Sequence, residues 1–406
     1  MRAMGKLYPL GAALSALAVV SAASASGATD PGITSKQIVI GGTIPLSGAA
    51  SPFQTVAKGA EAYFKYVNAK GGVNKRKVKY IYRDDGYDPA RTVEATRQLV
   101  QQDKVFAIFN SLGTEQNLNV RSYLNAAKVP QLFIGSGAVT FGRDYKKYPW
   151  TMAYQPNYVA EGQIYGRQIA RGKRAKIAIL YQNDEFGKEL IKGLKKGLGK
   201  KASWIVRQQG YDISDSNVKS QVAKLKASKA NVLLIFATPT FTIRAYSESF
   251  RLGWKPRFYV AVVSSASNIM LWSTYGSSAK HVEGSVSIVF IKDPTDPRWT
   301  KSPGIRLYRS IMKKYGNPKA IKDAYNVYGM SAAFTMVDAL KKAGRNPSRK
   351  SLLKAATHIN ERNNPFVLPG IVVRTTPTSR FPIGQAKLER WHNGRWVYFG
   401  PLQTVR

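Results

Sequence analysis

The chain has 406 residues, 62 Lys+Arg against 23 Asp+Glu for a formal net charge of +39, and no cysteine. The missing cysteine excludes disulfides, thiolate catalysis, Cys-ligated metals and a lipid-bearing cysteine. A basic excess of this size would suit a polyanion, but no nucleic-acid-binding motif accompanies it.

The first segment reads as a targeting signal. Arg2 and Lys6 precede an apolar run at 10–20, and Ala23-Ser24-Ala25 is an A-x-A-like cleavage site. This is the layout of a secretory signal peptide over residues 1–25. The run is shorter than the roughly 20 residues a membrane span needs. A periplasmic or otherwise extracytoplasmic mature protein is expected. Loss of Arg2 and Lys6 would take its net charge from +39 to +37.

Residues 38–72, IVIGGTIPLSGAASPFQTVAKGAEAYFKYVNAKGG, follow as strand, Gly/Ser/Pro loop and helix. Val56, Ala60, Tyr63, Phe64 and Val67 fall at helical spacing, and Gly71-Gly72 ends the helix. The pattern then repeats. VKYIYRD (78–84) is a strand, and Asp88-Pro89 caps a helix. VFAIFN (105–110) is a strand, 115–127 a helix and VPQLFIG (129–135) a strand. The aromatic and Pro-rich stretch 146–158 reads as a domain crossover. A second series continues with a helix near 158–171, KIAILYQ (176–182), helix 186–198 and WIVRQQG (204–210). A helix near 215–228, VLLIFA (232–237), helix 241–252 and FYVAVV (258–263) complete it. The region 302–357 is helical, and the strand-like tail 366–400 turns at Asn393-Gly394. Alternating strands and helices of this length predict an α/β fold with mainly parallel sheets in a doubly wound arrangement. Two domains are the expected count. Lys188, Lys192, Lys195 and Lys196 share one stripe of helix 186–198, which reads as a solvated face.

The catalytic inventory is thin. His281, His358 and His392 are the only histidines; none forms an HExxH-type pair, and each reads as a surface or loop residue. No serine sits in G-x-S-x-G, no phosphate-binding P-loop occurs, and Gly135-Ser136-Gly137 lacks the third glycine of a dinucleotide fingerprint. Asp84-Asp85 reads as loop and cap hydrogen bonding rather than a metal site. No catalytic residue, metal or cofactor is expected.

Binding features are better represented. Ser111-Leu112-Gly113-Thr114 joins a strand to a helix, so backbone N–H groups and the Thr114 hydroxyl stand at a helix start that suits a carboxylate. The next strand ends in Gly135-Ser136-Gly137. In α/β sheets such loops hold ligands at the carboxyl ends of strands.

IPLSGAASPFQTVAKGAEAYFKYVNAKGGV, YRDDGYDPARTVEATRQLV, VPQLFIGSGA, KIAILYQNDEFGKEL and FRLGW stand in this order. In order and spacing they resemble the type I periplasmic solute-binding proteins, specifically the leucine/isoleucine/valine-binding family of ABC importers. The resemblance spans essentially the whole chain after residue 25. It implies two doubly wound lobes joined by three crossovers, with residues 36–152 and 290–360 in lobe 1 and residues 153–289 and 361–406 in lobe 2. It implies a small-molecule carboxylate ligand clamped between the lobes and delivered, by a monomer, to an ABC permease in the inner membrane, with no nucleic acid involved. Phe53 and Phe186 match aromatics that close over the ligand. Thr114 matches a hydroxyl that binds the carboxylate, and Gly135 and Gly137, flanking Ser136, match positions that bind the amino acid. Val263 stands where amino-acid-binding members carry an acid for the α-ammonium. Together with PWTMAYQPNY, which resembles relatives that bind aromatic or other apolar carboxylates, this widens the expected ligand class; Tyr154 is a further aromatic suited to it. The alternatives are a sensor that presents the solute to a receptor, an exported hydrolase acting through Asp84 or Asp85, and a polyanion binder.

Overall fold

The computed structural model describes residue 1 and residues 30–405; the expected signal peptide lies outside the described residues but for Met1. Fourteen strands fall in two main sheets and one small ribbon. The first sheet contains β1 (Gln37–Ile44), β2 (Lys77–Asp84), β3 (Ala107–Phe109), β4 (Gln131–Ile134) and β5 (Thr151–Ala153). Its order is β2-β1-β3-β4-β5, and every pairing is parallel. The second begins with β6 (Ile177–Gln182), β7 (Ile205–Tyr211), β8 (Val232–Phe236), β9 (Arg257–Val260) and β10 (Val286–Val289). After the ribbon β11 (Asn360–Glu361) and β12 (Val373–Arg374), the chain adds β13 (Gln385–His392) and β14 (Arg395–Thr404) to that sheet. The second order is β14-β13-β10-β9-β8-β6-β7, with β13 and β14 antiparallel. This is an α/β fold of two lobes with mainly parallel sheets.

The chain passes between the lobes three times: after β5, after β10 and just before β13. The last crossing comes later than residue 361, where the sequence reading begins the second lobe's tail. Glu361 accepts from Thr335 at 2.9 Å and Asn364 at 3.0 Å, and Phe366 packs edge-on against Tyr63 at 5.9 Å. Arg380 donates to the Pro149 carbonyl, so residues 361–383 stay on the first lobe.

Local chemistry explains the elements. Asp88 accepts from Ala90 N at 2.7 Å and Arg91 N at 3.0 Å and so starts helix Pro89–Gln101. Helix Gln54–Ala69 ends before Gly71 and Gly72, both at positive φ. Its apolar face packs on helix Ala324–Lys342 with the backbones in contact: a Cβ on Gly59 would lie 2.3 Å from Asn326 O, and one on Gly329 2.0 Å from Val56 O. The second lobe repeats the device. Helices Tyr158–Ala170 and Glu185–Leu198 meet at Gly162, Gly166, Gly193 and Gly197, where a Cβ would fall 2.0–2.4 Å from a carbonyl oxygen of the facing helix.

Gly193→Ala should therefore lower the unfolding free energy by about 1–3 kcal/mol in urea denaturation, because its methyl would meet Val159 O at 2.0 Å. Gly172→Ala, whose nearest atom is Ile169 O at 3.4 Å, should change it by less than about 1 kcal/mol.

Candidate functional site

Parallel strands deliver their following loops to one sheet edge, and the two sheet edges face each other. In the first lobe, β1 runs through a Gly/Ser loop into the turn Ser51–Phe53, which starts helix Gln54–Ala69. Phe53 is buried there, edge-to-face with Tyr325 at 5.2 Å. After β3, Gly113 at φ +111 precedes helix Thr114–Ala126, whose start has no side-chain cap. Asn117 steadies the loop by donating to Ser111 O at 3.0 Å and Gly113 O at 2.7 Å. The loop after β4 is stitched to it: Gly135 N donates to Ser111 O at 2.9 Å, and the Thr114 and Ser136 hydroxyls are 2.8 Å apart.

In the second lobe Asp184 caps helix Glu185–Leu198 by accepting from Gly187 N at 3.2 Å. Phe186 in its first turn is buried against Tyr158, ring centroids 5.0 Å apart. Glu161 accepts from Val262 N at 2.7 Å and Tyr165 OH at 2.8 Å, which fixes the loop after β9 that carries Val262 and Val263.

Between these loops lies a cleft in two joined compartments. The smaller is lined by Phe53, Tyr87, Gly113, Gly135, Tyr158, Phe186 and Thr238, among others. The larger is lined by apolar residues including Val56, Val262, Phe290, Tyr325 and Tyr328, with Ser265, Asp293, Glu389 and Trp396. Phe53, Leu112, Gln155 and Val263 border both. Residues of both lobes therefore wall a single cleft.

Of the site residues expected from sequence, Phe53, Gly135 and Phe186 line the cleft. Thr114 and Ser136 stand directly behind its wall, both buried and bonded to each other. Gly137 is absorbed by packing: its Cβ would sit 2.0 Å from Pro156 O, and its carbonyl accepts from Tyr158 N at 3.0 Å. Tyr154 belongs to the first lobe's interior, its hydroxyl 2.9 Å from Ser331 O and 3.0 Å from Thr335 Oγ1. Asp84 and Asp85 are taken up by local bonds, Asp84 from Leu46 N at 2.8 Å and Asp85 from Tyr87 N at 3.0 Å. His281 is not a surface residue but is buried and 2.8 Å from Ser249 Oγ. Gln155, Tyr325, Tyr328, Asp293 and Glu389 were missed, and only the aromatic cluster around 146–158 hinted at any of them.

Hydrogen bonds tie the lobes together at several points: Arg298 donates to Trp396 O at 2.8 Å and Trp299 Nε1 to the Tyr398 hydroxyl at 3.2 Å. Glu185 N donates to Glu115 Oε1 at 3.1 Å, and Val139 N to Glu189 at 2.9 Å. Thr240 donates to Ala49 O at 2.6 Å, and the Tyr325 hydroxyl to Val263 O at 2.7 Å.

Two lobes joined by three passages of chain, with a cleft at the strand ends walled by both, define a clamshell. The sequence profile described as "Periplasmic binding protein" matches residues 37–393, and the chain belongs to that family. It is 24% identical over 342 residues to the "Leu/Ile/Val-binding protein homolog 2" of Brucella abortus (strain 2308), covering 82% of this chain and 85% of that one. A branched chain amino acid ABC transporter protein from Thermus thermophilus with bound valine has the same fold, with a TM-score of 0.80 and 18% identity over 91% of this chain and 97% of the other. A solute binding protein of an ABC transporter from R. palustris, in complex with benzoate, matches with a TM-score of 0.76 and 15% identity over 91% and 97% of the two chains. Among the described residues no helix is long and apolar enough to cross a membrane.

Several carboxyl groups around and behind the cleft are displaced upward by burial. Glu161, Glu189 and Glu361 are pushed up to about 7, and Asp85, Asp184 and Asp323 to about 6. Each binds its proton more tightly folded than unfolded, so its contribution to stability is fully present below the ordinary carboxyl range and is lost as pH rises to about 7. His281, held neutral and pulled down to about 4 by burial and by Lys255, opposes this trend. The unliganded protein should therefore melt at a higher temperature at pH 5.5 than at pH 8 in calorimetry.

Proposed function

We propose that this chain is the extracytoplasmic solute-binding component of an ABC importer, closing its two lobes on a small apolar or aromatic carboxylate. The observation that carries this reading is the cleft itself. It is walled by both lobes, its polar wall includes the uncapped start of helix Thr114–Ala126, and most of its lining is apolar. A helix start supplies unpaired N–H groups and a partial positive charge, which favour an anion. Aromatic and branched side chains favour an apolar body. The bound valine and benzoate of the two structural neighbours support the same ligand size and the same carboxylate.

The protein does no chemistry in this reading. Ligand contacts made by both lobes stabilise the closed arrangement over the open one, and the permease responds to closure. Val263 favours benzoate-like acids over plain α-amino acids, because it offers no charge to an α-ammonium, and an unpaired buried ammonium costs several kcal/mol.

Thermal melting across leucine-like amino acids and benzoate-like acids tests this. A bound member of either class at a hundred times its Kd should add roughly 2.7 kcal/mol of stability, and an unmoved melting temperature across the whole panel would contradict the proposal. Thr114→Ala should weaken binding roughly tenfold, by losing the hydroxyl that orients the Ser136–Thr114 wall toward the carboxylate.

A further inference from the structure

The larger compartment is lined by an acid, Glu389, that forms no ion pair with a Lys or Arg among the described residues. Glu389 lies on β13, between Ser287 of β10 and Tyr398 of β14, and is 2% exposed. Arg298 acts on it only at longer range. That guanidinium is committed to Asp296 at 2.8 Å and to Trp396 O at 2.8 Å, and lies 3.6 Å from the Tyr398 ring centre. The Ser265 hydroxyl hydrogen-bonds Glu389 and also stands 3.1 Å from Val262 O, so its single proton serves one of the two at a time. Asp293 borders the same compartment, but its oxygens are occupied by Ser267 and by Thr295, whose N and Oγ1 stand at 2.7 and 2.6 Å. Glu389 is thus the underbonded member of an acidic pair, and burial, reinforced by the Asp293 charge, raises its proton affinity well above the usual carboxyl range.

A buried carboxylate without a partner is costly, and the cost falls when a cation arrives in the cavity it faces. Position decides which cation. Gly113 and Gly135, at the helix start, border only the smaller compartment; Glu389 and Asp293 border only the larger. The shared wall of Phe53, Leu112, Gln155 and Val263 lies between them. An α-amino acid carries both charges on one carbon and cannot reach both ends.

Resting on the carboxylate reading above, we infer that the cleft takes an elongated ligand. Its carboxylate lies at the start of helix Thr114–Ala126, its apolar body passes along Phe53 and Val263, and its distal ammonium is received by Glu389. The acid absent at position 263 is replaced by one supplied from the C-terminal strands, and the charge separation becomes the specificity rule.

Matched pairs test it: straight-chain ω-amino carboxylates from butyrate to octanoate length against the n-alkanoates of equal length, by calorimetric titration. For at least one length the amino acid should bind roughly tenfold or more tightly than its alkanoate, the scale of a charge-assisted hydrogen bond. In Glu389→Gln that preference should disappear. If alkanoates bind as well as or better than their amino partners at every length, or if Glu389→Gln keeps the preference, the distal ammonium site is overturned while the carboxylate reading stands. If no alkanoate, ω-amino acid, benzoate or leucine-like acid binds, the carboxylate reading itself fails and takes this inference with it. Should Glu389→Gln not fold, the wild-type pair comparison alone decides.

Discussion

Parallel pairing governs this molecule. Because the first sheet and the core of the second run parallel, each sends the carboxyl ends of its strands to one edge, and the two edges face each other across the cleft. Every loop that walls the cleft is a strand-to-helix connection placed by that rule, from Phe53 after β1 to Phe186 after β6. The junction is three passages of chain, so the lobes are coupled mainly by what lies between them. In the proposed reading the two lobes move as separate bodies, and contacts made by both sides decide whether the cleft closes.

The energetics divide accordingly. Inside each lobe, helices meet at glycines with their backbones in contact, which makes each body rigid and intolerant of added volume. Between the lobes the bonds are individually modest, among them Glu115 to Glu185, Glu189 to Val139, Thr240 to Ala49, Tyr325 to Val263 and Arg298 to Trp396. A hydrogen bond of this kind contributes about 1 kcal/mol net. Uncompensated acids behind and within the cleft mark where the fold tolerates an electrostatic cost.

Much of the architecture was legible in the sequence because it rests on local chemistry. β-branched runs gave the longer strands, Asp88-Pro89 and Gly71-Gly72 gave helix ends, and Asn393-Gly394 gave the final hairpin turn. Three-residue β5 and the Ser-bearing β10 carry too little pattern to be read as strands. Phe53 and Gly135 were legible because loops at strand ends must reach the cleft, whereas Phe186 was implied by the family resemblance alone. Thr114 and Ser136 show the limit of that reasoning, since two hydroxyls on adjacent loops can bond each other as readily as a ligand. Gly137 was read as an approach point for ligand, whereas Pro156 and Tyr158 fill that space. Tyr325, Asp293 and Glu389 arrive from chain segments hundreds of residues beyond the first loop, and no local pattern announces their convergence. The clamshell follows from the resemblance to the leucine-binding family more directly than from periodicity.

The central claim is that ligand bound between the lobes holds them closed. The chain has no cysteine, so spin labels can be placed cleanly at two introduced sites, Glu94→Cys on the first lobe and Ser220→Cys on the second, both exposed. Pulsed electron–electron resonance with and without a carboxylate shown by calorimetry to bind measures the separation directly. The account predicts a distance distribution that shortens and narrows when that carboxylate saturates the protein; a distribution unchanged at saturation would contradict it.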